Sequence, residues 1–216
     1  MRNVMLVAAI LLAAMSLNAQ NGRTILSNGS LNGWEHIGPG RFLVEQGDAA
    51  DAKILRTEGG MGLLWYTREK FGDCVIRVVY RTTKPTSNAG VFVRIADRPP
   101  DPMWAVHHGY EVQILDDTDP YHRTGAVYSL VSAETGAAKP AGEWNIMEIE
   151  LRGELIDVTL NGKHITHFDP AQPSPKREHD WEPERGPRPT HGYIGLQNHS
   201  DEDVVYFKEV SVKPLG

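Results

Sequence analysis
The chain has 216 residues, with 22 Lys and Arg against 28 Asp and Glu and a net charge of −6. Apolar and charged fractions of 40% and 23% argue against wholesale disorder. The acidic balance argues against a nucleic-acid partner, which needs a basic face. The one cysteine, Cys74, excludes an internal disulfide framework and a CxxC metal cage.

The first twenty residues read as an export signal. Arg2 gives a short positive start, Val4 to Met15 is an unbroken apolar run, and Ala19 offers a small residue for cleavage. The run is short for a membrane span, so residues 20–216 are expected as one exported domain, periplasmic or secreted, free of the membrane once residues 1–19 are removed.

Beyond this signal, short β-branched runs alternate with turn residues. Expected strands are Cys74 to Arg81, Gly90 to Ile95, Tyr110 to Leu115, Ala126 to Leu130, Asn145 to Leu151, Leu155 to Leu160, Tyr193 to Asn198 and Val204 to Val212. Asn161-Gly162 supplies the two positive φ angles of a type I′ turn and so joins Leu155 to Leu160 to the strand that starts at Lys163. Many short strands with such punctuation predict an all-β fold, an antiparallel two-sheet sandwich or jelly roll. Two stretches break the rhythm: Ala96 to His108 with three prolines, and Asp169 to Thr190 with six. The second is long for a connector and is expected to lie over a face or rim.

Strand alternation assigns faces. Val91, Val93 and Ile95 share one face, as do Val112 and Ile114, and Ile194 and Leu196. The opposite faces carry Asn88, Gly90, Phe92 and Arg94, then Glu111 and Gln113, then Gly195, Gln197 and His199. Such a face, rich in Arg, amide and carboxylate groups and relieved by two glycines, suits sugar hydroxyls. It is also compatible with a plain solvated sheet face. Asp116-Asp117-Thr118-Asp119 lacks the closing Glu of a calcium loop and reads as an acidic turn. His107-His108 and the pair His164 and His167 have no helix to align them as metal ligands. No GxSxG or GxxxxGK[ST] is present. Trp104 and Trp181 sit in the two long loops as candidate sugar-stacking rim residues, while Trp144 precedes a strong strand and reads as core.

Three of these segments carry a resemblance. Asn88 to Arg94 (NAGVFVR), Gly109 to Asp116 (GYEVQILD) and Gly192 to His199 (GYIGLQNH) resemble, in order, three strand motifs of the 3-keto-disaccharide hydrolase domain family. Gly125 to Tyr128, Trp144-Asn145 and Leu160 to Gly162 fall between them as expected, and the likeness runs from about Asn28 to Pro214. Ser200 stands where the family usually has Gly. The resemblance implies a concanavalin-type jelly roll that acts on carbohydrate. Glu111-x-Gln113-x-x-Asp116 resembles, without matching, the paired-acid strand of laminarinase-like enzymes, because Gln113 replaces the middle acid. A retaining glycosidase needs two carboxylates about 5 Å apart, so ordinary double displacement is disfavoured.

What the resemblance implies instead is elimination from a 3-keto-glycoside. The ketone acidifies the C2 proton, a base removes it, and the C1 substituent leaves, with or without later addition of water. On this reading Glu111 or His199 is the base. Arg94 and Gln113 steady the enolate and hydroxyls, Gln197 orients the sugar, and Tyr128 and Trp104 form walls, with Asn88 and Asp116 as further binding groups. A divalent metal held by His199, Glu111 or Asp116 is the alternative electrophile to Arg94. The competing expectation is a non-catalytic carbohydrate-binding module on the same face, and a plain glucanase is a third.

Overall fold
Alternating apolar strands bury one face each, and here two such sets close on one another. A computed structural model describes residues 22–50 and 52–216; the expected signal, Met1 to Ala19, lies outside them. One sheet has eight strands: β1 (Arg23–Ser27), β3 (Arg41–Gln46), β4 (Lys53–Glu58), β6 (Cys74–Thr82), β9 (Asn145–Arg152), β10 (Leu155–Leu160), β11 (Lys163–Phe168) and β13 (Val205–Pro214). The other has β2 (Trp34–Ile37), β5 (Gly62–Tyr66), β7 (Ala89–Ile95), β8 (Tyr110–Ile114) and β12 (Tyr193–Asn198), in the order β2-β5-β12-β7-β8. Every pairing is antiparallel. The fold is therefore the expected all-β sandwich.

Between the sheets, Leu64, Val91, Val112 and Leu196 from the smaller sheet meet Ile76, Met147, Ile149, Val158 and Phe207 from the larger. Each such side chain, fully buried, contributes about 1.5–3 kcal/mol. Cys74 belongs to this core, and burial pushes its thiol up to about 12, so it is inert at neutral pH. The expected turn is present: Asn161 and Gly162 have φ of 52° and 85° and join β10 to β11.

Three departures from the sequence expectation matter. The segment Ala126 to Leu130 is not a strand. Gly125 and Ser129 have φ of 89° and 60°, which breaks the extended chain, and the segment folds back so that Leu130 and Val131 donate to the Val127 carbonyl. The proline-rich stretch 96–108 contains a helix, α1 (Pro102–His108). Asp101 caps it by accepting from the Trp104 amide at 2.8 Å, and Pro102 supplies a φ already suited to the first turn. Third, β1 to β5 were not expected; they are short, and the region is interrupted by glycines from Gly29 to Gly62.

The smaller sheet is buried on both faces. Beneath it lies the core. Above it, Leu63, Trp65, Phe92 and Ile95 form a second apolar cluster with Ala105 and Val106 of α1. The helix covers one end of the outward face and leaves the other open. Among the described residues no helix is long and apolar enough to cross a membrane.

The connection from β12 to β13 is locked to the larger sheet. The Thr57 hydroxyl of β4, fully buried, donates to the Asp203 carbonyl at 2.9 Å and accepts from the Val205 amide at 2.8 Å. Replacing it by an isosteric Val leaves that amide and carbonyl unpaired in the interior. Thr57→Val is expected to lower unfolding free energy by about 1–3 kcal/mol in denaturant titration. An unchanged midpoint would show that the tether contributes nothing.

Candidate functional site
On the open end of the outward face lies a cavity of about 440 Å³, lined by side chains on and beside the adjacent strands β12, β7 and β8. Glu111 and Gln113 reach it from β8, Gln197 from β12 and His199 from just beyond it. Asn88 enters from the start of β7 and Tyr128 from the folded-back turn. The parity of β8 and β12 is unbroken, so the residues expected on one face do share it.

Glu111 lies at the centre of the arrangement and is only 5% exposed. Across the β7–β8 pair Gly90 stands opposite Gln113 and Phe92 opposite Glu111. The carboxyl leans over Gly90: a Cβ there would sit 2.3 Å from Glu111 Oε1. A glycine is required at this strand position for steric room, and a left-handed φ plays no part. Burial pushes the Glu111 carboxyl up to about 8, opposed by a hydrogen bond from the Gln197 side chain. Desolvation dominates because the partner is a neutral amide and, among the described residues, no cation acts on the group.

The cavity also holds unspent hydrogen-bonding capacity. The side-chain oxygens of Asn88, Gln113 and Gln197 are buried and accept nothing. Buried polar atoms are normally paired, so three such acceptors around one cavity mark a place built for donors such as hydroxyl groups. Tyr128 adds a phenol that burial and the nearby Glu111 carboxylate push up to about 12, so it stays protonated and donates.

His199 is organised by a residue that alternation did not reveal. Its Nδ1 lies 2.9 Å from Oδ2 of Asp203, which is buried and also accepts from Ser200 Oγ at 2.6 Å and, through Oδ1, from the Asn88 amide at 2.9 Å. A carboxylate on Nδ1 holds the proton there and leaves Nε2 of the neutral ring as an acceptor. Asp203 sits four residues after His199 on a turn, so period-2 reasoning could not place it. The usable signal was the acidic run Asp201-Glu202-Asp203 in the turn after a strand-end histidine.

Three residues expected in the site are elsewhere. Arg94 has φ of 58° and sits where the β7–β12 register shifts, so the chain bulges and parity inverts. Ile95, expected with Val91 and Val93, joins Phe92 on the outward face instead. The Arg94 side chain is 3% exposed and turns toward the larger sheet, where it donates to the Gly153 carbonyl at 2.7 Å and lies near Cys74 and Asp73. It is a structural tie between sheets. Trp104 lies on α1 with its ring 4.6 Å from that of His108 and packs on the second apolar cluster; Met103 and Val106, on another side of the helix, line the cavity in its place. Asp116 follows the end of β8 and faces a separate small cavity beside Arg123 and Thr124.

The divalent metal considered as an alternative electrophile does not fit this arrangement. Asp116 is absent from the cavity, and among the described residues no three His, Cys, Asp or Glu side chains are grouped to hold an ion. Of the remaining expected ligands, Glu111 and His199 line the cavity together. Met61 and Trp181 complete the lining. Trp181 was expected at a rim and lies there.

The comparisons agree with this picture of the fold. A family model described as a 3-keto-alpha-glucoside-1,2-lyase-like domain matches residues 22–213. A 3-keto-disaccharide hydrolase of Bacteroides thetaiotaomicron is 22% identical over 239 residues, covering 93% of this chain and 81% of that protein. A crystal structure from Parabacteroides distasonis, provisionally named a glycosyl hydrolase, superposes with a TM-score of 0.68 at 19% identity over 93% of this chain and 97% of that one. The carbohydrate-binding module CBM66 from Bacillus subtilis superposes with a TM-score of 0.54 at 13% identity, over 84% of this chain and 95% of that one.

The displacement of Arg94 generates a test. Arg94→Ala removes a buried inter-sheet bond and leaves a side chain at positive φ, so it is expected to lower stability by about 1–3 kcal/mol while sugar affinity stays at the parental value. Lost affinity at unchanged stability would return Arg94 to the site.

Proposed function
The chain belongs to the 3-keto-alpha-glucoside-1,2-lyase-like family, and from that premise we propose that it is an exported enzyme that cleaves the glycosidic bond of 3-keto-glucosides by elimination. The observation that carries the reading is the cavity's pairing of a buried carboxyl pushed up to about 8 with a histidine whose Nε2 is left open. A carboxyl that keeps its proton and an imidazole nitrogen free to accept one can divide the acid and base roles between them.

A Glu111 carboxyl pushed up to about 8 keeps its proton at neutral pH, which fits a general acid and disfavours a base. His199 Nε2 therefore takes the C2 proton, made acidic by the neighbouring ketone. The electron pair passes into the C2–C3 bond and the carbonyl oxygen becomes an enolate. With Arg94 absent from the cavity, the phenol of Tyr128 is the donor available to that oxygen. When the carbonyl reforms, a C1–C2 double bond forms, the C1–O bond breaks, and Glu111 gives its proton to the departing oxygen. The amides of Asn88, Gln113 and Gln197 hold the remaining hydroxyls. Release at this stage makes the protein a lyase. If water adds at C1, its proton goes to the Glu111 carboxylate, His199 returns a proton to C2, and the net reaction is hydrolysis. Export from the cell, expected from Met1 to Gln20, belongs to the same proposal.

The neighbouring carbohydrate-binding module favours binding without chemistry as the second reading. Product analysis with a 3-keto-glucoside and its unoxidised parent separates the two. The keto compound alone is expected to be cleaved, and binding of either with cleavage of neither would make the protein a binding module. Activity should be lost as pH rises through about 8, because the acid form of Glu111 is then depleted. Glu111→Gln and His199→Ala are each expected to lower kcat by about 10²–10⁴-fold. A rate that instead rises through pH 8 and survives His199→Ala would make Glu111 the base.

A further inference from the structure
We propose that Trp181 is a platform for the leaving group, so that the protein selects glycosides whose C1 substituent is a ring, a second sugar or an aryl group, over those with a small alkyl group. This rests on the keto-glycoside reading above and extends it from the cleaved sugar to what is attached to it.

Trp181 is 58% exposed, an unusual position for an indole, yet it lines the same cavity as Glu111 and His199. One face of the ring is occupied: His179 stacks on it at 4.3 Å and 13°. The residue remains exposed to a ligand entering the cavity, and an indole with one stacked face has less ordering entropy to lose on binding. The chain carrying it is also fixed. The next residue, Glu182, is 6% exposed and accepts from Ser129 Oγ at 2.8 Å and Arg185 Nη2 at 2.9 Å. Further along, Arg188 donates to the Gly109 carbonyl at 3.1 Å, just beyond α1. A proline-rich segment with no helix or strand of its own is thus pinned at two points beside the cavity.

The polar floor and the apolar rim divide the work. Buried amides and acids suit the hydroxyls and carbonyl of the sugar being cleaved, while a flat aromatic face suits the C–H face of a pyranose or a phenyl ring lying outside it. A methyl group leaves that face uncovered.

The test is titration calorimetry of the full chain carrying Glu111→Gln, which keeps the ligands intact, with and without Trp181→Ala. The ligands are a 3-keto-disaccharide, a phenyl 3-keto-glucoside and a methyl 3-keto-glucoside. Trp181→Ala is expected to weaken at least one of the two ring-bearing ligands about tenfold and to leave the methyl glycoside unchanged, and Trp181→Phe to restore most of the loss. Equal weakening of all three, weakening of none, or no binding of any ligand would overturn the platform. Turnover by protein with Glu111 intact reports separately. If Glu111→Gln cleaves as fast as the parent, the acid role falls, and Trp181→Ala is then read on KM for the same three ligands in protein with Glu111 intact, where a rise confined to the ring-bearing ligands is expected and an equal or absent rise overturns the platform.

Discussion
The constraint on which the rest depends is a carboxyl group held out of water with no cation beside it. Moving an ionised carboxylate into such a place is unfavourable by several kcal/mol, and the group answers by keeping its proton. Glu111 does so because the turn segment 125–128 covers the outer edge of β8, because Gly90 leaves space for its head, and because Gln197 offers a neutral amide. Any side chain at position 90 would push the carboxyl aside; any cation at position 197 would return it to an ordinary acid. The chemistry of the cavity thus follows from three residues on three adjacent strands.

The second group of the proposed acid–base pair depends on the same sheet from the end of its middle strand. His199 lies just past the end of β12, and its orientation comes from Asp203, whose own backbone is fixed by Thr57 in the opposite sheet. Asn88, at the start of β7, is bound to that carboxylate through its amide. The two sheets are therefore coupled at the site as well as through the core, and Arg94 adds a tie at the far end of β7. A sandwich of this kind gives a rigid frame on which turns can carry the reactive groups.

Much of this was legible in the sequence, and the failures have physical causes. Strands β8 and β12 follow the period-2 pattern, and parity alone placed Glu111, Gln113, Gln197 and His199 on one face. Parity failed at Arg94 because one non-glycine residue at positive φ inverts everything after it, and nothing in the identity of an arginine announces that conformation. Trp104 was misplaced because a seven-residue helix is too short for periodicity to register. Asp101-Pro102 was a readable start signal for it. Ala126 to Leu130 has strand composition, but Gly125 and Ser129 turn the chain. Asp203 and the anchors Glu182 and Arg188 act across turns, where spacing in sequence says little about distance in space.

The central claim is the protonation state of one group, and a direct titration tests it. We would follow the side-chain carboxyl carbon of Glu111 by carbon NMR against pH, assigning it by its absence in Glu111→Gln. A midpoint near 8 is predicted. A midpoint in the ordinary glutamate range, near 4.5, would mean that the carboxylate is ionised at neutral pH, and the division of acid and base roles drawn here would be wrong.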